Sequence, residues 1–491
     1  MSFAEPYSDE LAEMLLNLEA SLNQQAFNGI PLGSTLAASL ILDFWNGNAR
    51  WSRGARWRQR LQRVQRFYKP YGLPDNHRST ALHDLPRDGV LVTWLRDDPR
   101  YNGMIQPLLN RLPDDGTIVL VRSRGLMQQT GNKAATLLEA PPPPDKLAWQ
   151  RTYRRMAPYW AKTLESYVRD HGLDALSVPM LRVRLLIQSQ RVSGYRHMLE
   201  VLRPKAILTE FDRNIYSSCL VLAAKSLGIP TATLVHGTIN PPYGYNPVLA
   251  DRIFAWGTLQ REQLINLKTP PEKIRLTGFA RVARPEPKDA SAIKQAAGLP
   301  ADKPVVLLAT NPIEPKAHER LITTYCTAFA GRKDITVVVR THPAEGDNAW
   351  EAYRDRFPFV YPFGRGDQSV EDSLAMTDVF VCNNTGMSMD ALLHDVPVVL
   401  LDVPGSSLLS NRDLADAGVA QITKSDSELA STVDEILKSS GLAGNLAEKR
   451  EAYLKSMYFA MGDEAATLAA KELMALAGAD VPATQQGSVH A

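Results

Sequence analysis

Cysteine is scarce: the 491 residues hold three, Cys219, Cys326 and Cys382, far apart and never in C-x-x-C spacing. Each lies in an apolar surround, which predicts buried thiols in a reducing compartment. No run of about 18 apolar residues occurs, so no membrane span is expected. The first residues, MSFAEPYSDELAEM, are acidic and lack an apolar h-region, which predicts no secretory signal and a cytoplasmic location. Charge is nearly balanced, 55 basic against 53 acidic side chains, a net +2 that gives no global case for nucleic acid. A G-x-G-x-x-G fingerprint and a Walker loop are both missing, which argues against a dinucleotide dehydrogenase or a P-loop kinase. There is no D-x-D between apolar strands, no H-x-x-x-H and no cysteine cluster, so neither a metal nor another cofactor is expected.

What is present is a soluble globular composition, 44% hydrophobic and 22% charged, in a chain long enough for two domains. Leu11, Met14, Leu15, Leu18 and Leu22 predict an amphipathic helix over 8–25. Residues 50–69 then carry Arg50, Arg53, Arg56, Arg58, Arg60, Arg63, Arg66 and Lys69, interleaved with Trp51, Trp57, Phe67 and Tyr68. Such a segment suits an anionic membrane surface, or a solvated arginine face packed on the protein's own acidic surface. From residue 88 onward, short β-branched apolar runs alternate with helical stretches. The runs are 89–95, 116–123, 206–212, 231–237, 252–257 and 273–279, then 304–310, 335–342, 359–363, 379–383, 397–402 and 420–423. A helical stretch over 146–202 is expected to break near Gly172 and Pro179. The proline-rich, charged segment ARPEPKDA over 283–290 marks a boundary. This pattern implies right-handed βαβ units and parallel sheets. The expected layout is a basic, aromatic helical extension (1–80), a Rossmann-like acceptor domain (81–284) facing a Rossmann-like donor domain (285–478) across a cleft, and a tail (479–491).

Ligands of open parallel sheets bind beyond the C-terminal ends of the strands, so the residues just after each strand are the candidates. In the second half these are Thr310 and Asn311; Arg340, Thr341, His342 and Pro343; Gly364, Arg365 and Gly366; and Asn383, Asn384, Thr385, Gly386 and Ser388. Taken alone, the last group reads as a helix N-cap. Together the four loops form a donor-rich, cation-rich set suited to a nucleotide diphosphate. Two residues apart on one strand, Arg340 and His342 would point the same way and share one anion. Glu371 and Asp372 either cap their helix or meet a ribose. In the first half the strand ends supply Asp97, Asp98, Glu210, Asp212, His236 and Asn240. Carboxylates and histidine are the usual general bases, though Glu210 and Asp212 would also serve as caps of the next helix, and His236 as a turn residue.

LVHGT (234–238), RTHP (340–343) and NNTGMSMDALLHDVPVV (383–399) resemble the GT-B glycosyltransferases of bacterial capsule and surface-polysaccharide synthesis. That group includes capsular Kdo transferases, polysialyltransferase-like enzymes and CDP-glycerol glycerophosphotransferases. The resemblance spans about 200–425. It implies a nucleotide-sugar transferase acting on a glycan or lipid-linked glycan, which residues 50–69 would hold, as a cytoplasmic protein, at the inner face of the membrane. The donor would be CMP-, CDP- or UDP-linked, a substrate rather than a cofactor. It further implies His236 or Glu210 as base, His342 on the donor phosphate, and Asn384, Thr385 and Ser388 as phosphate contacts. The family's serine pair is replaced here by Asn384-Thr385. A metal-independent single displacement would invert the anomeric centre. The alternatives are a CDP-polyol phosphotransferase of teichoic-acid type and a non-catalytic GT-B scaffold. An NDP-sugar 2-epimerase shares the architecture, but its dense acidic and histidine set is not found here.

Overall fold

In the computed structural model, the described residues are 9–36, 82–172, 175, 177–237, 239, 242–342, 344–346, 349–364, 366–408, 411–438 and 440–478. The basic segment 50–69, the tail 479–491, and Thr238, Asn240, Pro343 and Arg365 lie outside them. Two compact units form. Ala283–Met457 make one, and the described residues over 9–282 and 458–478 make the other.

The first unit holds a parallel sheet of seven strands: β1 (Val90–Trp94), β2 (Thr117–Val121), β3 (Ala134–Leu137), β4 (Ala206–Thr209), β5 (Thr231–Leu234), β6 (Arg252–Ala255) and β7 (Ile274–Leu276). Their spatial order is β3-β2-β1-β4-β5-β6-β7. Apart from β3, these strands match the expected runs. The sequence pattern missed β3 because AATL is alanine-rich, only half-buried and at the sheet edge, so it lacks the β-branched signature of a buried strand. β1, β2, β4 and β5 are buried along their whole length, as strands covered by helices on both faces must be. The helical stretch breaks at Gly172, where φ is +62°. Pro179 then falls in the first turn of Ser177–Leu202, where a missing N–H has no partner to lose.

The helix Asp9–Asn23 belongs to this core through Leu15, Leu18 and Leu22, all fully buried. It also brings Glu19 inside, where the carboxylate takes a two-pronged bond from Arg213 at 2.7 and 3.1 Å. The helix Gly462–Leu476, expected in the C-terminal domain, packs instead in this unit. Ala465, Ala466, Ala469 and Ala470 are buried, and Arg111 meets Asp463 at 3.0 Å. Helical periodicity announces a buried face without saying which core it will meet.

The second unit holds six parallel strands: β8 (Val305–Ala309), β9 (Thr336–Arg340), β10 (Tyr361–Phe363), β11 (Val379–Cys382), β12 (Val398–Leu401) and β13 (Ala420–Thr423), in the order β10-β9-β8-β11-β12-β13. Every one was expected. Each sheet has one place where the chain, after winding outward on one side, returns to wind the other way. In the first sheet it falls between β1 and β4, in the second between β8 and β11. Such a switch point parts the flanking connections, and it is where doubly wound sheets bind ligands.

Candidate functional site

At the switch point of the first sheet stands Glu210, the residue after β4, only 1% exposed. Its N–H donates to Thr93 Oγ1 of β1 at 3.3 Å, and its carboxylate accepts the Leu95 N–H just beyond that strand. Burial pushes its pKa up to about 8; the Leu95 N–H and the Arg96 guanidinium pull the other way, and Asp98 adds to the rise. This carboxyl does not cap the next helix. Asn214 Oδ1 does that work, accepting the Tyr216 and Ser217 N–H groups at 2.9 Å.

One strand over, His236 follows β5, half-buried among aromatic rings. Phe211 lies 4.6 Å away centroid to centroid, Tyr101 is stacked at 5.8 Å, and the Tyr245 hydroxyl is 3.1 Å from Nδ1. Arg96 in turn lies 4.9 Å over the Tyr101 ring. Glu210 and His236 therefore stand at the ends of neighbouring strands, linked through Arg96 and Tyr101. Tyr101, Phe211 and Tyr245 carry no motif, and sequence reading missed all three.

Three further candidates have structural roles. Asp212 is buried and accepts the Leu249 and Ala250 N–H groups at 2.7 and 2.9 Å, fixing the loop before β6 rather than an acceptor. Burial raises its pKa, while Ala250 N–H and Arg213 act to lower it. Asp98 accepts the Tyr101 N–H at 3.4 Å in the first turn of helix Pro99–Leu109. Asp97 is exposed and holds Asn102 and Gln129 at 3.0 and 3.3 Å.

At the switch point of the second sheet, Thr310 and Asn311 follow β8 and Asn383 follows β11. Both asparagines are buried, and both have a side-chain oxygen with no hydrogen-bond partner among the described residues. Beside them, His342 is set by its surroundings. Its N–H lies 3.1 Å from Thr310 Oγ1 and 3.2 Å from Glu345 Oε2, and its Nδ1 accepts the Ala344 N–H at 3.1 Å. With Nδ1 an acceptor, the ring proton resides on Nε2, which becomes a donor. Glu345 also accepts from the Thr310 hydroxyl at 2.6 Å, and His318 Nε2 lies 3.2 Å from its other oxygen. Burial works to raise the Glu345 pKa, and the contacts with His318 and Thr310 outweigh it, holding the carboxylate below its ordinary range. The one sequence signal for Glu345 is its place three residues after His342.

β9 ends at Arg340, whose Nη1 donates to the Gln368 carbonyl at 3.0 Å and to Ser373 Oγ at 2.9 Å, bracing the helix Val370–Ala375. Neither Glu371 nor Asp372 caps that helix; Ser369 does, and Asp372 pairs with Lys288 at 2.6 Å. Ser388 is no phosphate contact either. It is 1% exposed, and its hydroxyl is within bonding distance of Thr385 O and Asn411 Oδ1. Asn411 Nδ2 reaches the carbonyls of Asn383 and Thr385, both at 3.3 Å, and so clamps the polar loop from 26 residues or more away, beyond any sequence signal. Asn384 and Thr385 remain half-buried and Gly386 exposed, ahead of a helix of only seven residues whose first N–H, on Met387, donates to Thr385 Oγ1 at 3.3 Å. Among the described residues, no three His, Cys, Asp or Glu side chains converge as a metal set.

No protein-family model matches the chain, and no curated protein sequence does. Solved structures of similar trace include the UDP-GlcNAc 2-epimerase from Neisseria meningitidis bound to UDP-GlcNAc. It is 12% identical, with 79% of this chain covering 99% of that one at a TM-score of 0.48. The Anabaena protein Alr3699/HepE in complex with UDP is 14% identical, over 79% and 99% of the two chains, at 0.47. The glycotransferase of kitacinnamycin is 14% identical, over 80% and 100%, at 0.46. Likeness at this level does not carry the ligands or reactions of those proteins to this chain.

Proposed function

We propose that the chain is a glycosyltransferase moving a sugar from a nucleotide-linked donor to a surface-glycan acceptor. The observation that carries this reading is Glu210: a carboxyl buried at a sheet's switch point, with a pKa near 8 and no cation bonded to its oxygens among the described hydrogen bonds. Keeping such a group inside a fold is unfavourable, and pKa values poised near neutrality mark proton-transfer sites. In its ionised form Glu210 takes the acceptor hydroxyl's proton as the oxygen attacks the anomeric carbon. The bond from that carbon to the donor phosphate breaks, and the electron pair leaves with the nucleotide. Within the second unit, the His342 Nε2–H and the backbone N–H groups of the loop at 384–386 are donors of the kind that stabilises charge on a nucleotide's phosphates. No metal takes part in this scheme, and the single displacement inverts the anomeric centre.

The test is turnover with a panel of UDP-, CDP- and CMP-sugars. Glu210→Gln should lower turnover by about 10²- to 10⁴-fold, the range for loss of a positioned base. Turnover by that variant at the wild-type rate would remove Glu210 from the chemistry. A second reading, a CDP-polyol phosphotransferase, is favoured by His236 in its aromatic box beside the Tyr245 hydroxyl. Product analysis separates the two, since one gives a glycosidic bond and the other a phosphodiester.

A further inference from the structure

The helix Lys146–Asp170 buries Trp149, Met156, Trp160, Leu164 and Val168 on one side. At about 100° per residue, Leu147, Arg151, Arg154, Arg155 and Lys162 fall on the opposite side, and all five are exposed. Glu165 is the one acidic residue exposed along the same face, and Arg169 is tied to its neighbour Asp170 at 3.1 Å. The adjoining helix Ser177–Leu202 adds exposed Arg182 and Val183. The two helices pack side by side, with Trp149 Nε1 donating to Ser189 Oγ at 3.0 Å. Among the described residues, none of Arg151, Arg154, Arg155, Lys162 and Arg182 makes an ion pair. Leu147 at 69% and Val183 at 41% exposure are two of the four large apolar side chains left in solvent among the described residues.

We propose that this face is an anionic-membrane contact. A chain of net charge +2 that gathers five unneutralised cations on one helix pair has a polarised surface, and that surface attracts anions. A sugar-phosphate polyanion would use the cations alone. A bilayer also uses Leu147 and Val183, whose side chains can enter the acyl boundary while arginine heads stay with the phosphates. The proposal stands independently of the transferase reading.

The test is flotation of the full chain with phosphatidylcholine vesicles, with and without phosphatidylglycerol. Wild type should float with the anionic vesicles only and release as salt rises. Each arginine near an anionic surface contributes about fivefold, so Arg151→Gln/Arg154→Gln/Arg155→Gln should bind roughly 100-fold more weakly. That triple is compared both in the wild-type background and in one whose 50–69 arginines are changed to glutamine, so the two basic surfaces are read separately. Leu147→Ser/Val183→Ser, which leaves every charge in place, should also weaken flotation. Circular dichroism and an unchanged Tm establish that each variant is folded. Flotation of the triple like its parent, or no flotation of wild type, would overturn the proposal. So would Leu147→Ser/Val183→Ser floating normally while heparin retains wild type, since that marks a polyanion site.

Discussion

Glu210 keeps its proton through much of the neutral range, and that sets two measurable slopes. Its pKa rises from an ordinary 4.5 to about 8 on folding, so the folded state holds the proton more tightly than the unfolded state. The resulting stability is complete below about 4.5 and is lost as pH rises through about 8. Tm should therefore fall between pH 5 and pH 9, and Glu210→Gln should flatten that part of the profile. Activity runs the other way: a base must be ionised, so kcat/KM should climb toward a plateau above about pH 8. At the other switch point, His342→Ala removes the Nε2–H donor and should lower turnover by about 10²-fold or more. An equal rate from a folded His342→Ala protein would take that histidine out of the site. Both residues were legible in the sequence, because a polar residue at the end of a buried strand stands out. The direction each side chain takes was not. Arg340, Asp212 and Ser388 look equivalent to them by position, yet each is consumed by neighbours distant in sequence.

At the scale of elements, the N-terminal helix is tied to the loop after β4 by an ion pair with almost no access to water. Arg213 and Glu19 have side chains 1% and 4% exposed, and Arg213 also reaches the Asn246 carbonyl at 3.3 Å. Removing one partner strands the other charge in the core, so Glu19→Gln or Arg213→Met should lose about 3–5 kcal/mol in denaturant melts. The surface pair Arg203–Asp88 has side chains 60% and 53% exposed, and cutting it should lose less than about 1 kcal/mol. Similar losses from the two cuts would contradict the structure's account of where the helix is fastened. Asn411→Ala removes a donor from the Asn383 and Thr385 carbonyls and a partner from the Ser388 hydroxyl, and should cost about 1–3 kcal/mol while loosening the polar loop. Strand positions were readable from continuous apolar runs. Partnerships such as Glu19 with Arg213, 194 residues apart, leave no local trace.

For the molecule as a whole, the alternation of strand and helix was enough to expect two parallel sheets, and the order of strands explains why the candidate residues gather where they do. Each switch point brings together the ends of two strands far apart in the chain: β1 with β4, and β8 with β11. Periodicity could not reveal that order, nor the return of Gly462–Leu476 to the first unit. The central claim is that the second sheet's switch point holds a nucleoside diphosphate. Its most direct measurement is a thermal-shift titration with UDP, CDP, CMP and GDP on wild type and His342→Ala. A ligand that binds only the folded chain adds about 2.7 kcal/mol at a hundred times its Kd. At least one diphosphate should raise the wild-type Tm in a saturable way, and its midpoint should move to higher concentration in His342→Ala. No shift with any diphosphate, or the same midpoint in both proteins, would contradict the claim.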